Sequence, residues 1–258
     1  MQARTWVLLR GLVREQRHWE QFPSLLAAAL PAGSQVVCID LPGNGEHWQQ
    51  ASPLSIADMV EAARRDLAER AVHGPVCLLA LSLGAMTAFE WMSRHPEEID
   101  GAVLLNTSLS AFSPFWQRLQ PRNYLRIVRD VLIRRDPEHR ERMILEASTN
   151  LVADREFYVR RWTDYARQRP VSIGNSLRQL LAAARYRAPR HPPRCPVLLL
   201  NGGGDRLVSP ACSDAIARAM QLPLQRHPTA GHDLALDAPG WVVGQVTAFL
   251  AGDAGQRH

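Results

Sequence analysis

Ser82 stands where a continuous apolar run ends and a helical pattern begins, and this change constrains the fold more than any other feature of the sequence. The run, Val76–Leu81, is short and uninterrupted, which is typical of a strand buried on both faces of a parallel sheet. A strand that turns sharply into a helix at a serine needs small residues two positions before and two positions after it. Ala80 and Gly84 occupy those positions. The pattern predicts a strained turn that exposes the Ser82 hydroxyl at the carboxyl end of a strand.

A histidine and an acidic residue follow Ser82 in an order that suits nucleophilic catalysis. A serine hydroxyl is a weak nucleophile, so it needs a histidine base and an acid that orients the base. Asp205 comes after the apolar run 195–201 and three glycines, and His232 comes after the strand-like run 224–226. Loops at the carboxyl ends of parallel strands collect functional residues. The order Ser82, Asp205, His232 therefore predicts a Ser–His–Asp triad on an α/β fold.

Each of these three residues has a plainer explanation when it is taken alone. A buried serine can simply bond to a nearby carbonyl, a glycine-rich loop that ends in Asp can open a helix, and a Gly-His pair can lie in any loop. Their joint order is what favours the triad. In that interpretation His232 takes the proton of Ser82 as it attacks an ester or thioester carbonyl, Asp205 holds the imidazole, and water releases the acyl enzyme.

Five short motifs extend this interpretation to the rest of the chain. They are Leu9-Arg10-Gly11-Leu12, Asp40-Leu41-Pro42-Gly43-Asn44-Gly45, Ala80-Leu81-Ser82-Leu83-Gly84, Gly204-Asp205 and Gly231-His232. With them the sequence resembles the α/β-hydrolase superfamily over nearly its whole length. It is most similar to small bacterial carboxylesterases and thioesterases of the pimeloyl-carrier-protein methyl ester esterase type.

This resemblance implies a mostly parallel central sheet flanked by helices, with an inserted helical cap. It also implies a serine hydrolase that needs no cofactor. The backbone N–H groups of Leu12 and Leu83 would form the oxyanion hole. The resemblance does not name a substrate beyond a small acyl ester or thioester, because one fold hosts many reactions.

Two positions bear on how closely the resemblance applies. Members of the superfamily usually carry His-Gly after their first central strand, where this chain has Arg10 and Gly11. Arg10 either supplies the hydrogen bonds of the missing histidine or stands near the substrate as a positive charge. Asn106 ends a strand-like run where some relatives place their acid, and an amide there favours Asp205. The serine at the turn disfavours enzymes with an aspartate nucleophile, such as dehalogenases and epoxide hydrolases.

The alternation of strand-like and helical patterns predicts one α/β domain with one insertion. Residues 1–109 and 191–258 carry the alternation and form the predicted core, and residues 110–190 form a predicted helical cap over the nucleophile. The predicted cap helices are 115–135, 137–147, 154–168 and 172–187. Aromatic residues of the cap, with Trp116 and Trp162 as candidates for substrate binding, either line the pocket or pack between helices.

Positive charge is concentrated in the predicted cap. Residues 111–190 contain seventeen arginines and eight acidic residues, whereas the formal net charge of the whole chain is +5 and the chain contains no lysine. A solvated helix face explains much of this charge, and a GC-rich genome explains the preference for arginine. The alternative is attraction of an anionic partner, such as an acyl carrier protein, a coenzyme A (CoA) thioester or a membrane surface. The sequence lacks the regular interleaving of basic and aromatic residues that is typical of nucleic-acid binding, so we expect no nucleic-acid partner.

Nothing in the sequence predicts a transmembrane segment or a metal centre. Apolar runs stay well below the roughly 18 residues that suggest a membrane span, and arginines interrupt the N-terminal apolar stretch early, unlike in a signal peptide. The four cysteines show neither CxxC nor Cys/His metal spacing. We expect Cys38, Cys77 and Cys195, in or beside predicted strands, to pack as small apolar groups. We therefore expect a cytoplasmic enzyme without a metal or a cofactor.

Two other functions are compatible with the same residues. An acyltransferase would use the same triad and pass the acyl group to an alcohol or an amine instead of water. A binding protein could retain the hydrolase fold with slow or no turnover, although an intact triad argues against this.

Overall fold

Six parallel strands form one sheet in a computed structural model of the chain, which describes residues 2–127 and 136–256. The strands are β1 (Thr5–Leu9), β2 (Gln35–Ile39), β3 (Val76–Leu81), β4 (Ile99–Leu105), β5 (Val197–Gly202) and β6 (Leu224–His227). Their spatial order is β2-β1-β3-β4-β5-β6, and every neighbouring pair is parallel. The prediction of a mostly parallel sheet is confirmed.

Helices flank the sheet on both faces and account for the uninterrupted apolar runs. They are α1 (Phe22–Ala29), α2 (Ile56–Glu69), α3 (Leu83–Arg94), α4 (Phe115–Arg118), α5 (Tyr124–Ile127), α6 (Pro137–Ser148), α7 (Arg155–Gln168), α8 (Ile173–Arg185), α9 (Ala211–Met220), α10 (Leu234–Asp237) and α11 (Pro239–Gln256). In β3, Leu78 and Ala80 belong to an apolar layer shared with α2, α3 and α9, whereas Cys77 and Leu79 belong to a layer shared with α1 and α11. All of β3 is buried, because both of its faces are covered. Within the described ranges, no helix is long and apolar enough to cross a membrane.

The parallel arrangement brings the residues that follow the strands to one edge of the sheet. Arg10 follows β1 directly, Ser82 follows β3, and Asn106 follows β4. Asp205 and His232 lie in the loops after β5 and β6. Residues that are far apart in the sequence, such as Arg10 and His232, are therefore collected at the carboxyl ends of the strands, which is the usual place for a site in this type of sheet.

Helices α4 to α8 lie between β4 and β5, in the segment predicted as a cap. The predicted helices 137–147, 154–168 and 172–187 correspond to α6, α7 and α8. The predicted single helix 115–135 is wrong in its first part, because α4 ends at Arg118 and a 3-10 turn, Pro121–Asn123, precedes α5. Pro121 lacks an N–H donor and keeps the preceding Gln120 extended, at φ −66° and ψ 134°, so the helix cannot continue through it. Residues 128–135 of that prediction lie outside the described residues.

Candidate active site

Ser82 occupies a strained turn between β3 and α3. Its backbone has φ 57° and ψ −112°, a region that costs a non-glycine residue on the order of 1–3 kcal/mol. Neighbouring groups hold this conformation: the Ser82 N–H donates to the carbonyl of Leu105 at 3.0 Å. The Ser82 carbonyl accepts from the N–H of Met86 at 3.1 Å and from Oγ1 of Thr107 at 3.3 Å. The main chain of Ser82 is thus fully engaged, while its side chain borders a cavity.

Small residues around Ser82 let α3 approach β1 closely. A Cβ atom on Gly84 would lie 2.4 Å from the carbonyl oxygen of Leu9 and 2.7 Å from that of Arg10, so no larger residue fits without a backbone shift. A Cβ atom on Gly11 would lie 3.2 Å from Cβ of Ser82. The small residue that the sequence pattern requires after the serine is therefore explained by contact between α3 and the end of β1.

Asp205 and His232 form a hydrogen-bonded pair in the loops after β5 and β6. Nδ1 of His232 lies 2.7 Å from Oδ2 of Asp205, and both side chains are buried. The other carboxylate oxygen of Asp205 accepts from the N–H groups of Leu207 at 2.8 Å and Val208 at 3.0 Å. Because three donors fix the carboxylate, it holds the imidazole in one orientation. This leaves the second ring nitrogen, Nε2, as the atom that can accept a proton.

Two carboxylates set the charge state of His232. Burial alone would lower the pKa of the imidazole, because it disfavours the charged form. The negative charge and hydrogen bond of Asp205, together with the charge of Asp233, outweigh burial, so that the pKa of His232 is raised above its ordinary value. The site therefore stabilises an imidazolium, the form that a histidine base takes after it accepts a proton.

Asn106 joins the loop of the pair to the neighbouring strand. Its Nδ2 donates to the carbonyl oxygens of Gly231 at 3.0 Å and His232 at 2.7 Å, and its Oδ1 accepts from the N–H of Gly202 at 2.8 Å. Sequence reasoning considered Asn106 only as a position without an acid and missed this role. The available signal was an amide at the end of a buried strand, since an amide can both donate and accept where a carboxylate can only accept.

Arg10 forms a buried ion pair with Asp233. Its Nη1 and Nη2 lie 3.0 and 2.6 Å from the two carboxylate oxygens, and the side chains are only 2% and 4% exposed. The guanidinium also stacks over the ring of Trp19, with 4.6 Å between Cζ and the ring centroid. Of the two roles considered for Arg10, this geometry favours hydrogen bonding over a free positive charge. The pair links the end of β1 to the residue after His232.

The loop after β1 carries Leu12, and a residue of α8 holds this loop. Val13 has a positive φ of 51°, and its N–H donates to Oε1 of Gln179 on α8 at 2.9 Å. Gln179 is fully buried and donates from Nε2 to Asn44 and to Ser52, both at 3.0 Å. Sequence reasoning did not find Gln179, because its partners are more than a hundred residues away. Leu12 and Leu83, the two candidate oxyanion donors, both border the same cavity as Ser82.

A cavity of about 470 Å³ connects the candidate residues, which is within the usual size range of a small-molecule site. Ser82 and His232 lie in its wall, and most of the remaining lining is apolar. Trp116 and Trp162 do not line it. Trp116 is half exposed, and Trp162 is fully buried and donates from Nε1 to Oε1 of Glu20 at 3.0 Å. Trp162 packs in a small apolar cluster with Leu145 and Val159, which is the plainer alternative considered for it.

Hydrogen bonds connect the segment between β4 and β5 to the loops that carry Asp205 and His232. The side chain of Gln120 donates to the carbonyl of Asp205 at 3.1 Å, and its N–H donates to the carbonyl of Leu207 at 2.9 Å. On the other side, the N–H of Asp233 donates to the carbonyl of Ser148 at 2.8 Å. These bonds join the segment between β4 and β5 to the loops that carry Asp205 and His232.

A group of potential metal ligands lies elsewhere, at the end of α3. His95, Glu97 and Glu98 place potential ligand atoms within 4.8 Å of one another. Glu98 already pairs with Arg64, at 2.5 Å, and accepts from Nε1 of Trp91 at 2.8 Å. An ion-pair network accounts for this group, and it does not border the cavity.

The sequence matches known relatives over different shares of its length. A 34% identical alignment with the biotin biosynthesis bifunctional protein BioHC of Teredinibacter turnerae covers 102 residues, which is 40% of this chain but 17% of that protein. An alignment with the pimeloyl-[acyl-carrier protein] methyl ester esterase of Aromatoleum aromaticum is 28% identical over 253 residues, or 90% of this chain and 92% of that protein.

The fold and a family model agree with these alignments. The enol-lactonase from Burkholderia xenovorans LB400 superposes with a TM-score of 0.76 at 19% sequence identity, covering 97% of this chain and 92% of that one. The model of the alpha/beta hydrolase family matches residues 6–245. Since that match spans nearly the whole chain, the protein belongs to the alpha/beta hydrolase family.

Proposed function

We propose that this protein cleaves carboxylic esters or thioesters with Ser82 as the nucleophile, His232 as the base and Asp205 as the residue that orients the base. The observation that carries the proposal is the 2.7 Å contact between His232 and Asp205, beside a cavity that Ser82 and His232 both border. The strained turn at Ser82 supports it, because strain of this kind is maintained where a side chain must be presented. The mostly apolar lining suits an acyl chain.

The mechanism has two steps. In the first, His232 takes the hydroxyl proton as Oγ of Ser82 attacks the carbonyl carbon, and it then gives the proton to the departing alcohol or thiol. In the second, His232 takes a proton from the water that attacks the acyl carbonyl carbon. It returns this proton to Oγ of Ser82 as the bond between Oγ and the acyl group breaks and the carboxylic acid leaves. The N–H groups of Leu12 and Leu83 stabilise the oxyanion in both steps, and each such donor contributes about 3–4 kcal/mol in the transition state.

An anionic acyl carrier is the partner we propose for the natural substrate. The relative that aligns over 90% of this chain is named for an ester of a carrier-bound acyl group. Exposed arginines of the segment between β4 and β5, such as Arg160, Arg167 and Arg185, offer positive charge to such a carrier. Equal kcat/KM for the carrier-bound substrate and its small N-acetylcysteamine analogue would mean that the carrier is not recognised, which would contradict this part of the proposal.

A cytoplasmic location is also part of the proposal. All four cysteines are thiols rather than disulfides, which suits a reducing compartment. Cell fractionation that recovered the protein outside the cytoplasm would overturn this point.

A fluorophosphonate probe tests whether Ser82 is activated. We expect rapid single labelling of the wild type, measured by intact mass, because His232 raises the nucleophilicity of the hydroxyl. His232→Ala should label far more slowly, whereas His73→Ala, which removes an exposed histidine, should label like the wild type. No labelling of a folded wild type would favour a binding protein on the same fold. Ester products formed with an excess of acceptor alcohol would instead favour an acyltransferase.

The raised pKa of His232 predicts the acid limb of the pH profile. The imidazole must be neutral to accept the Ser82 proton, so kcat/KM falls as the pH drops through this pKa. We expect the midpoint to lie above the ordinary value of 6.5. Asp205→Asn should move the midpoint to lower pH, because the stabilising negative charge is lost, and should slow the reaction by about 10⁴-fold. The measurement is kcat/KM for an activated ester against pH, and an unchanged midpoint in Asp205→Asn would contradict the pairing.

A further inference from the structure

Four arginines line the cavity, and one of them differs from the others in its partners. Arg10 pairs with Asp233. Nη1 of Arg14 and Nε of Arg140 lie 2.6 and 3.2 Å from the two carboxylate oxygens of Glu141. Arg118 contacts no carboxylate in the described part of the chain. Its Nη2 donates to the carbonyl oxygen of Ala183 at 2.7 Å, and its buried Nε has no hydrogen-bond partner there.

None of the described residues neutralises the charge of Arg118. The guanidinium is half-buried, and burial lowers its pKa. The lowered pKa indicates that its lost hydration is not offset by an interaction with a negative charge. The titratable group that interacts with Arg118 is the thiol of Cys212. Burial raises the pKa of that thiol, so it carries no negative charge at neutral pH. A cation that is withdrawn from water without an anionic partner is costly. A ligand that brought an anion to Arg118 would remove this cost.

Other polar atoms of the same wall also lack partners. Oγ of Ser108 and the hydroxyl of Tyr124 are buried without a hydrogen bond among the described residues, and both residues line the cavity with Arg118. Most of the remaining lining is apolar and includes Leu119, Leu180 and Val208. The wall therefore combines apolar surface for a hydrocarbon chain with a guanidinium that contacts no carboxylate among the described residues. A chain that ends in a carboxylate matches both parts.

We propose that Arg118 binds a second carboxylate of the acyl group, so that the preferred substrates are monoesters or monothioesters of dicarboxylic acids. The guanidinium is suited to this ligand because its planar donors match the geometry of a carboxylate. The inference rests on the proposed function, since it assigns specificity to the same site. Arg118 is a specificity residue in this scheme and takes no part in proton transfer.

The test compares two substrates that differ only in charge. They are the 4-nitrophenyl monoesters of a dicarboxylic acid and the same esters with the free carboxylate replaced by a primary amide, in a series from succinic to suberic acid. We expect the wild type to favour the acid over the amide by on the order of 10-fold or more in kcat/KM at the best chain length, which is the size of a charge-assisted hydrogen bond. Arg118→Met should bring this ratio close to one, and Arg118→Lys should keep part of it.

A matched control separates specificity from general charge. Arg65→Met removes an exposed arginine of α2 that does not line the cavity, and we expect it to keep the wild-type ratio. A merely structural role for Arg118 would lower kcat/KM for both substrates by the same factor and preserve the ratio. That outcome, or a wild-type ratio near one, would overturn the proposal.

A binding measurement distinguishes failure of this inference from failure of the proposed function. Isothermal titration of Ser82→Ala with the dicarboxylates themselves needs no turnover. We expect the best-fitting dicarboxylate to bind and its binding to be weakened at least 10-fold by the additional Arg118→Met change. If no ester is hydrolysed but this binding is seen, the carboxylate site stands and the esterase proposal fails. If esters are hydrolysed and Arg118→Met leaves binding unchanged, the carboxylate site fails alone.

Discussion

Replacing Ser82 by alanine is expected to lower kcat for ester hydrolysis by about 10⁴- to 10⁶-fold. In the proposed mechanism Oγ forms the bond to the acyl group, and alanine keeps Cβ but lacks that oxygen. The strained backbone at φ 57° and ψ −112° is the same constraint for either residue. The hydrogen bonds that hold it, to Leu105, Met86 and Thr107, use main-chain atoms of residue 82 and survive the change. The melting temperature should therefore stay within about 3 °C of the wild-type value.

Steady-state kinetics measure kcat, and circular dichroism or calorimetry measures the melting temperature. Ser213→Ala is the matched control, because Ser213 is a buried serine on α9 that does not line the cavity. We expect that variant to retain most of the wild-type kcat. If Ser82→Ala and Ser213→Ala turned over substrate at similar rates, another group would have to be the nucleophile.

The elements that the sequence predicts well are those whose neighbours cover them on every side. β3 is buried over its whole length, so its six residues are all apolar and the strand can be recognised without knowledge of the fold. The turn at Ser82 could also be recognised, because the small residues Ala80 and Gly84 stand beside it in the sequence. The contact that excludes a larger residue at Gly84 is with the carbonyl of Leu9. Asp205 and His232 could be nominated because each follows a strand-like run, and the residues after parallel strands share one edge.

The residues that the sequence could not supply act through partners that are distant in the chain. Arg10 and Asp233 are separated by 223 positions, and nothing near either of them indicates the other. Gln179 reaches Val13 across 166 positions. The sequence could not decide between Trp116, Trp162 and other aromatic residues for a related reason. Helical periodicity indicates that a residue is on the packed face of a helix, but not whether that face packs against a neighbouring helix or borders a cavity. Their placement depends on how the helices between β4 and β5 are folded over the sheet.

Breaking the pair of Arg10 and Asp233 is expected to lower the free energy of unfolding by about 3–5 kcal/mol. Arg10→Met leaves the carboxylate of Asp233 buried at 4% side-chain exposure without its two guanidinium bonds. Asp233→Asn should cost less than Arg10→Met, because an amide oxygen can still accept one of those bonds. Denaturation by urea measures both changes.

The double variant Arg10→Met/Asp233→Leu removes both charges and tests whether the cost lies in the unpaired ion. We expect it to be more stable than the sum of its single changes implies, since neither charge is left buried alone. Additive losses would mean that the two side chains stabilise the fold separately.

Kinetics decide whether the same pair has a role toward substrate. Arg10 is already bonded to Asp233 through both terminal nitrogens, so little of its charge is available to a ligand. Arg10→Ala should therefore lower kcat/KM for neutral and anionic esters by the same factor, through displacement of the loops that carry Leu12 and His232. A larger loss for anionic esters would place the charge of Arg10 at the substrate. The contrast with Arg118, whose removal should affect anionic esters selectively, separates an arginine that holds the site together from one that selects what enters it.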